Sequence, residues 1–280
     1  LSGQLTRYER RTTNALPTMA LHPDCRPTAG APGWGRTATA DAAAVDAGLR
    51  AYMLRVYNWM ASGLLLTGIV AYFIANTPEL QTLFYQRVMT PRGAAVQPTI
   101  LAYIAMFAPL AFVLVLSFGI NKLSKTTAQA LFWTFAAVMG ASISHIFLTF
   151  TGASVARAFF IAAAMFGGMS LYGYTTKADL TRMGSFLLMG LIGIIVASLV
   201  NMFVGSTALQ FAISIIGVIV FLGLTAWDTQ RIKADYVEHA YAEGTELAGK
   251  RSVMGALGLY LNFINLFMLL LQFMGVRQQV

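Results

Sequence analysis

Asp228 closes an apolar run, LQFAISIIGVIVFLGLTAW, with no break before it. An acid at the edge of so long an oily stretch is costly unless paired, and it marks a functional group whose partner has to be found. Helical spacing puts Thr225 and Ile232 on its own face and Arg231 three residues on, within reach of an ion pair. A second stretch, LGLYLNFINLFMLLLQFMG (257–275), carries Asn262, Asn265 and Gln272. Together with Leu269 these residues step along one helical face. Lipid is a poor neighbour for a row of amides, so the face should turn inward, as interhelical hydrogen-bond glue or as the lining of a permeation path. Ser142, His145 and Thr149 repeat the spacing, as do Ser198, Asn201 and Gly205. His145 is a candidate proton-linked switch beside such a path. It does not suggest a serine protease: Ser142 and Ser144 are its neighbours on one helix, where nucleophile and base rarely meet, and G-x-S-x-G is absent.

The elements that carry these residues follow from composition. The chain is 57% hydrophobic and 11% charged, against about 25% charged in soluble domains. Seven apolar segments, near 53–75, 99–120, 128–150, 155–174, 184–204, 208–228 and 254–275, each approach the roughly 20 residues that cross a bilayer core. Helices are the expected form, because an open sheet edge is forbidden in hydrocarbon. The fold class is therefore an all-α integral membrane protein with seven transmembrane helices, over residues 48–280. The paired glycines 167 and 168, with Gly190, Gly193, Gly217 and Gly223, are expected to let helices pack closely. Asp179, in TTKADLTRMGS, is placed to cap the start of the fifth span.

Residues 1–47 read as a Pro-, Thr-, Ala- and Arg-rich tail without apolar periodicity, expected to be disordered. The chain begins with Leu, as a mis-assigned start, an alternative start codon or a processed end would give, and Met19 is one candidate start. Cys25 is the single cysteine, so no intramolecular disulfide forms, and no Cys/His metal spacing is present. The net charge of +8 suits cytoplasmic loops better than nucleic acid, since no basic helix or aromatic platform accompanies it. With the N-terminus inside, the inner segments hold Lys122, Lys125, Lys177, Arg182, Arg231, Lys233, Lys250, Arg251 and the arginines of the first 55 residues. The outer segments hold Arg87, Arg92, Arg157 and Arg277. That asymmetry predicts a cytoplasmic N-terminus. Seven complete spans put the C-terminus outside, whereas a re-entrant last segment would return it inside.

Five stretches, LRAYMLRVYNWMASGLLLTGIVAYF (49–73), APLAFVLVLSFGINKLS (108–124), SLYGYTTKADL (170–180), FLGLTAWDTQRIK (221–233) and ALGLYLNFINLF (256–267), resemble the Bax-inhibitor family in its bacterial YccA-like branch. The resemblance spans about residues 48–275 and implies a seven-helix fold around a central seventh helix. It also implies a pH-sensitive calcium leak closed on the cytoplasmic side by two hydrogen-bonded aspartates, one from helix six and one from helix seven. Two such carboxylates share a proton in contact and repel when both ionise, which can bias a two-state gate. Carried over, the helix-six aspartate is Asp228. The helix-seven position, L-Y-L-D-F in the family, is Asn262 here. An amide does not titrate in this range and can donate permanently to ionised Asp228. The latch is thus expected to be Asp–Asn, held over more of the pH range, with calcium affinity lowered by the missing ligand charge. Asp228 would be a weak calcium ligand and Asn265 a supporting or pore-lining residue. Lys122 is the nearest candidate for the family's basic residue that exchanges with the latch.

The expected function is therefore a pH-influenced calcium leak channel in a bacterial inner membrane. It needs no cofactor, with calcium as the permeant species and the lipid bilayer as surroundings. The alternative is a non-conducting membrane regulator that binds a membrane protease or acts in a stress or cell-death pathway. Neither reading makes it an enzyme, since no nucleotide-binding or metal-centre motif is present.

Overall fold

The computed structural model describes residues 34–90, 93–119, 122–240 and 245–278. Its elements in chain order are α1 (Trp34–Asn76), α2 (Pro78–Phe84), β1 (Tyr85–Thr90), β2 (Gly93–Pro98), α3 (Ile100–Gly119), α4 (Lys125–Ile143), α5 (Ile146–Thr149), α6 (Gly152–Thr175), α7 (Thr181–Val204), α8 (Thr207–Asp235) and α9 (Thr245–Met274), with a π-helical segment (Tyr236–Ala240) after α8. Residues Ala42–Val280 form one compact unit, and Leu1–Asp41 are a separate one, whose described part is the start of α1. Because α1 begins at Trp34, helix already covers the last residues assigned to the tail, and residues 1–33 lie outside those described.

Among the described residues, seven stretches are long and apolar enough to span a membrane: Val45–Asn76, Ile100–Gly119, Lys125–Thr149, Gly152–Thr175, Thr181–Val204, Thr207–Glu238 and Glu246–Met274. All are helical over most of their length, the form in which a span satisfies its own backbone in hydrocarbon. The seventh lies in the middle. Within the protein 61% of its apolar window is buried, against 17–39% for the other six. It is also unbroken: 30 residues of α9 rise about 45 Å, more than the ~30 Å hydrocarbon core. The re-entrant alternative is thereby corrected. The residues after α9 are held at the far end of the bundle, where Val276 O accepts from Thr151 N at 3.0 Å, Thr149 O accepts from Gln278 N at 2.9 Å and Phe150 bridges Arg277.

The spans alternate in direction, so the bundle has two ends. One, the charged end, gathers the α3–α4, α6–α7 and α8–α9 connections. The other, the hairpin end, carries α2, the β1–β2 hairpin, the α7–α8 turn and the C-terminal residues. The hairpin pairs antiparallel from Tyr85↔Pro98 to Thr90↔Gly93, an element that the sequence reading did not place. Tyr85 fixes it to the bundle through a 2.8 Å bond between its hydroxyl and Ser144 Oγ, and burial pushes that phenol above its ordinary pKa.

Glycine sets how closely the outer helices approach α8. A Cβ at Gly173 would run into the carbonyl oxygen of Ala226, and one at Gly184 into the Trp227 indole. Gly217 and Gly223 meet Leu269 and Leu187 in close helix contacts of the kind expected, but Gly167, Gly168 and Gly193 face open space. Asp179 does serve the start of α7, though from one position earlier than a cap. Leu180 is the N-cap, and the Asp179 carboxylate accepts from Thr181 N at 2.9 Å. Its hydrogen bonds with Thr181 hold that carboxyl below its ordinary pKa.

Tyr260 of α9 anchors the core. It is fully buried against Phe132 and Phe135 of α4, with ring centroids 6.2 and 5.2 Å away. Thr67 donates to Ala136 O at 2.8 Å, so the Tyr260 hydroxyl must be the donor in its 2.6 Å bond to Thr67 Oγ1. Tyr260→Phe keeps the ring and removes that bond. It is expected to cost about 1 kcal/mol, read as a lowered thermal midpoint of the purified protein in detergent.

Candidate functional site

Asp228 sits near the charged end of α8, one residue beyond the indole that fills the space at Gly184. Its helix is fixed from behind by hydroxyls. Tyr57 of α1 bonds Ser170 of α6 at 2.5 Å, Ser170 bonds Thr229 at 3.0 Å, and Thr229 donates to Thr225 O at 2.8 Å. Gln230, next along, clamps the α6–α7 connection: it accepts from Leu180 N at 2.9 Å and donates to Ala178 O at 2.8 Å. Lys233 donates to Tyr174 O at 3.1 Å and lies over the Tyr174 ring. The D-T-Q-R-I-K and G-Y-T-T-K-A-D-L motifs are therefore two halves of one joint, a pairing that sequence reasoning missed although both motifs were in view.

With the back of α8 held, Asp228 faces α9. Asn262 donates from Nδ2 to Asp228 Oδ2 at 2.7 Å. The second carboxylate oxygen lies 3.8 Å from Arg231 Nη1, and Asp228 itself is largely withdrawn from solvent, its side chain only 16% exposed. The Arg231 guanidinium lies over the Trp227 ring at 5.1 Å. Each oxygen of one carboxylate thus has its own partner, an amide on α9 and a cation on α8. Hydrogen bonds to charged groups are the stronger kind, contributing about 1.5–3 kcal/mol. The bond ties the central helix to α8.

The contact stands at one end of a cavity of about 1220 Å³ lined from α3, α4, α7, α8 and α9. Asp228, Arg231 and Asn262 line its charged end, Asn265 follows along α9, and Gln210 and Gln272 lie toward the hairpin end. Leu110, Val113 and Leu191 are among its apolar walls. Asn265 donates to Leu261 O of its own helix at 2.8 Å, so it lines the space without bracing the latch. Of the amide stripe only Asn262 is buried; Asn265 and Gln272 line the cavity but are exposed.

Two expected site residues are not brought there. Lys122 is exposed in the α3–α4 connection and does not line the cavity. The cation at the latch is Arg231, three residues along the same helix. His145 is exposed at the break between α4 and α5, outside the cavity lining, with Nδ1 turned to Ser142 O at 3.2 Å. Its stripe fails because the helix breaks there and the polar groups bond back to their own turn, Thr149 Oγ1 to His145 O at 3.0 Å among them. Among the described residues no group of three or more His, Cys, Asp or Glu comes together. Asp228 is the only carboxylate among the residues lining this cavity.

Comparison with known proteins adds a lineage. Residues 49–279 match the family described as inhibitor of apoptosis-promoting Bax1. An uncharacterised protein of Rickettsia prowazekii is 47% identical over 243 residues, covering 86% of this chain and 96% of that one. The Escherichia coli inner membrane protein YbhL is 46% identical over 232 residues, covering 83% of this chain and 94% of its own.

Proposed function

The chain belongs to the Bax-inhibitor family, and from that premise we propose that it is a calcium leak of a bacterial inner membrane, closed at its charged end by Asp228 and Asn262. The path is the cavity that α8 and α9 bound together with α3, α4 and α7. The N-terminus and the charged end face the cytoplasm, in keeping with the distribution of Lys and Arg. The observation that carries the reading is the 2.7 Å bond from Asn262 to Asp228 at the mouth of that cavity. Asn262 keeps donating at any pH at which Asp228 is ionised, and Arg231 offsets the carboxylate charge. The resting state is therefore shut, with weak proton control. A calcium ion arriving there competes with Arg231 for a single carboxylate, so it is held weakly and released readily. The chain is a passive conductor and not an enzyme.

The same fixed amide supports a second reading. A latch that never releases would leave a non-conducting membrane protein that acts by binding a membrane partner, such as a protease. Calcium influx into reconstituted vesicles separates the two. Asn262→Ala removes the donor and leaves the carboxylate in the path, and influx is expected to rise about tenfold or more over the parent, the factor set by a charged hydrogen bond. Parent and variant both indistinguishable from empty vesicles would sink the leak and leave the partner reading.

A further inference from the structure

A groove runs along the outer face of the bundle between α1 and α6. Its part at the charged end has a volume of about 470 Å³. A second part of about 640 Å³ continues it toward the hairpin end. Met60 and Phe166 line both parts and are buried, forming with Met53 the floor, while Leu54 and Leu171 stand exposed at the rims. Gly167 lines the charged-end part and Gly68 the other, and a Cβ at either would meet nothing. Glycine weakens a helix, and at these two positions no neighbouring helix takes up the space it leaves. The charged end of the groove differs in kind. Arg50 is the one charged residue lining it, and Tyr174 of α6 lines the same end. Arg50 is exposed, and among the described residues neither its guanidinium nor the Tyr174 hydroxyl has a hydrogen-bond or ion-pair partner. Lys233 lies over the Tyr174 ring at 5.2 Å and adds positive charge nearby. No acid lines either part. From Arg50 to Met60 the rise is about 15 Å, half of the ~30 Å hydrocarbon core. The charged-end part is therefore one leaflet deep, with donors at headgroup level and an apolar trough below.

We propose that this groove binds a phospholipid with a net negative headgroup, drawn from the leaflet at the charged end. Arg50 takes the phosphate, whose oxygens match the guanidinium fork, and the Tyr174 hydroxyl donates to the headgroup. One acyl chain lies over Met53, Met60 and Phe166 and passes Gly167, where a side chain would stand in its way. A zwitterionic headgroup finds no acid in the lining to hold its ammonium, so the site selects net negative charge. The groove lies apart from the latch cavity, and the proposal does not rest on the leak reading.

The test counts bound lipid. The full chain, purified in neutral detergent, is mixed with dioleoyl phosphatidylglycerol or dioleoyl phosphatidylcholine, and the lipid retained is read by native mass spectrometry. The parent is expected to hold one phosphatidylglycerol in preference to phosphatidylcholine. Arg50→Gln should weaken that lipid about fivefold, the factor one basic residue gives near a membrane surface, and erase the preference. Gly167→Leu, which fills the trough, should reduce retention of both lipids while leaving the thermal midpoint near the parent. Two controls should bind as the parent does: Arg55→Gln, which removes a charge from the same helix outside this groove, and Gly168→Leu, which adds the same side chain outside its lining. Equal losses from Arg50→Gln and Arg55→Gln would mean attraction by bulk charge and overturn the site. Unchanged retention in Gly167→Leu overturns it as well. So does displacement of the lipid by inorganic phosphate alone, which would mark a soluble-anion site, or a dimer that Gly167→Leu dissociates, which would put a second copy in the groove.

Discussion

An Asn262→Asp variant is expected to admit calcium with a steep pH profile where the parent is nearly flat. At low pH the two carboxylates facing each other at the Asn262 position share a proton and stay in contact. As pH rises the shared proton leaves, both groups are charged, and they repel. The sign is therefore fixed: influx into vesicles should climb with pH, by about tenfold or more between pH 6 and 8 for a pair coupled by over one pK unit. The parent, whose α9 partner is an amide, should change by less than about twofold over that range. The second carboxylate also adds an oxygen ligand of the kind calcium favours, so half-saturation should fall to lower calcium. A variant that stays flat would mean that Asp228 and Asn262 do not control the path.

The largest structural effect is expected at Gly173. A side chain there meets backbone, the Ala226 carbonyl, and cannot be relieved by a rotamer change. Gly173→Val must push α6 from α8, and the loss should reach or exceed the roughly 1–3 kcal/mol typical of overpacking. Asp228 lies two residues beyond Ala226, so the latch moves with the backbone. Purified Gly173→Val should show a sharply lower thermal midpoint in detergent, and its vesicles a raised leak. Gly168→Ala, where a Cβ meets open space, is the matched control and should leave both near the parent. If the two glycine variants behave alike, the close α6–α8 approach does not hold the latch in place.

How much of this was legible follows from where each signal is stored. The spans and their number come from length and hydropathy, which the bilayer imposes on each segment separately. The inward turn of Asn262 was legible because lipid is a poor neighbour for an amide, but Asn265 and Gln272 on the same stripe are exposed. That Asp228 would be the partner of Asn262 came from the resemblance; periodicity alone offered only Arg231. What could not be read was held between segments. Gln210 sits inside LQFAISII with nothing local to distinguish it, and its partner lies on another helix. The clamp by Gln230 needs a connection 50 residues away. His145 was misplaced because a three-and-four spacing promises a shared face only while the helix continues, and it breaks at that residue.

The pinning of the chain after α9 to the α4–α6 connection gives the central helix a fulcrum. With Val276 and Gln278 bonded to Ser154, Thr151, Thr149 and Phe150, the hairpin end of α9 is fixed, so any tilt of the helix displaces its charged end most. Asn262 lies about 20 Å along the lever from Gly275 and Gln272 only about 4.5 Å. A tilt of about 10° would carry Asn262 some 3.5 Å, enough to break its bond, while displacing Gln272 by less than about 1 Å. The same motion thus has a long throw at one mouth and almost none at the other. Releasing the Asp228–Asn262 bond by such a tilt would leave the Gln210–Gln272 bond in place.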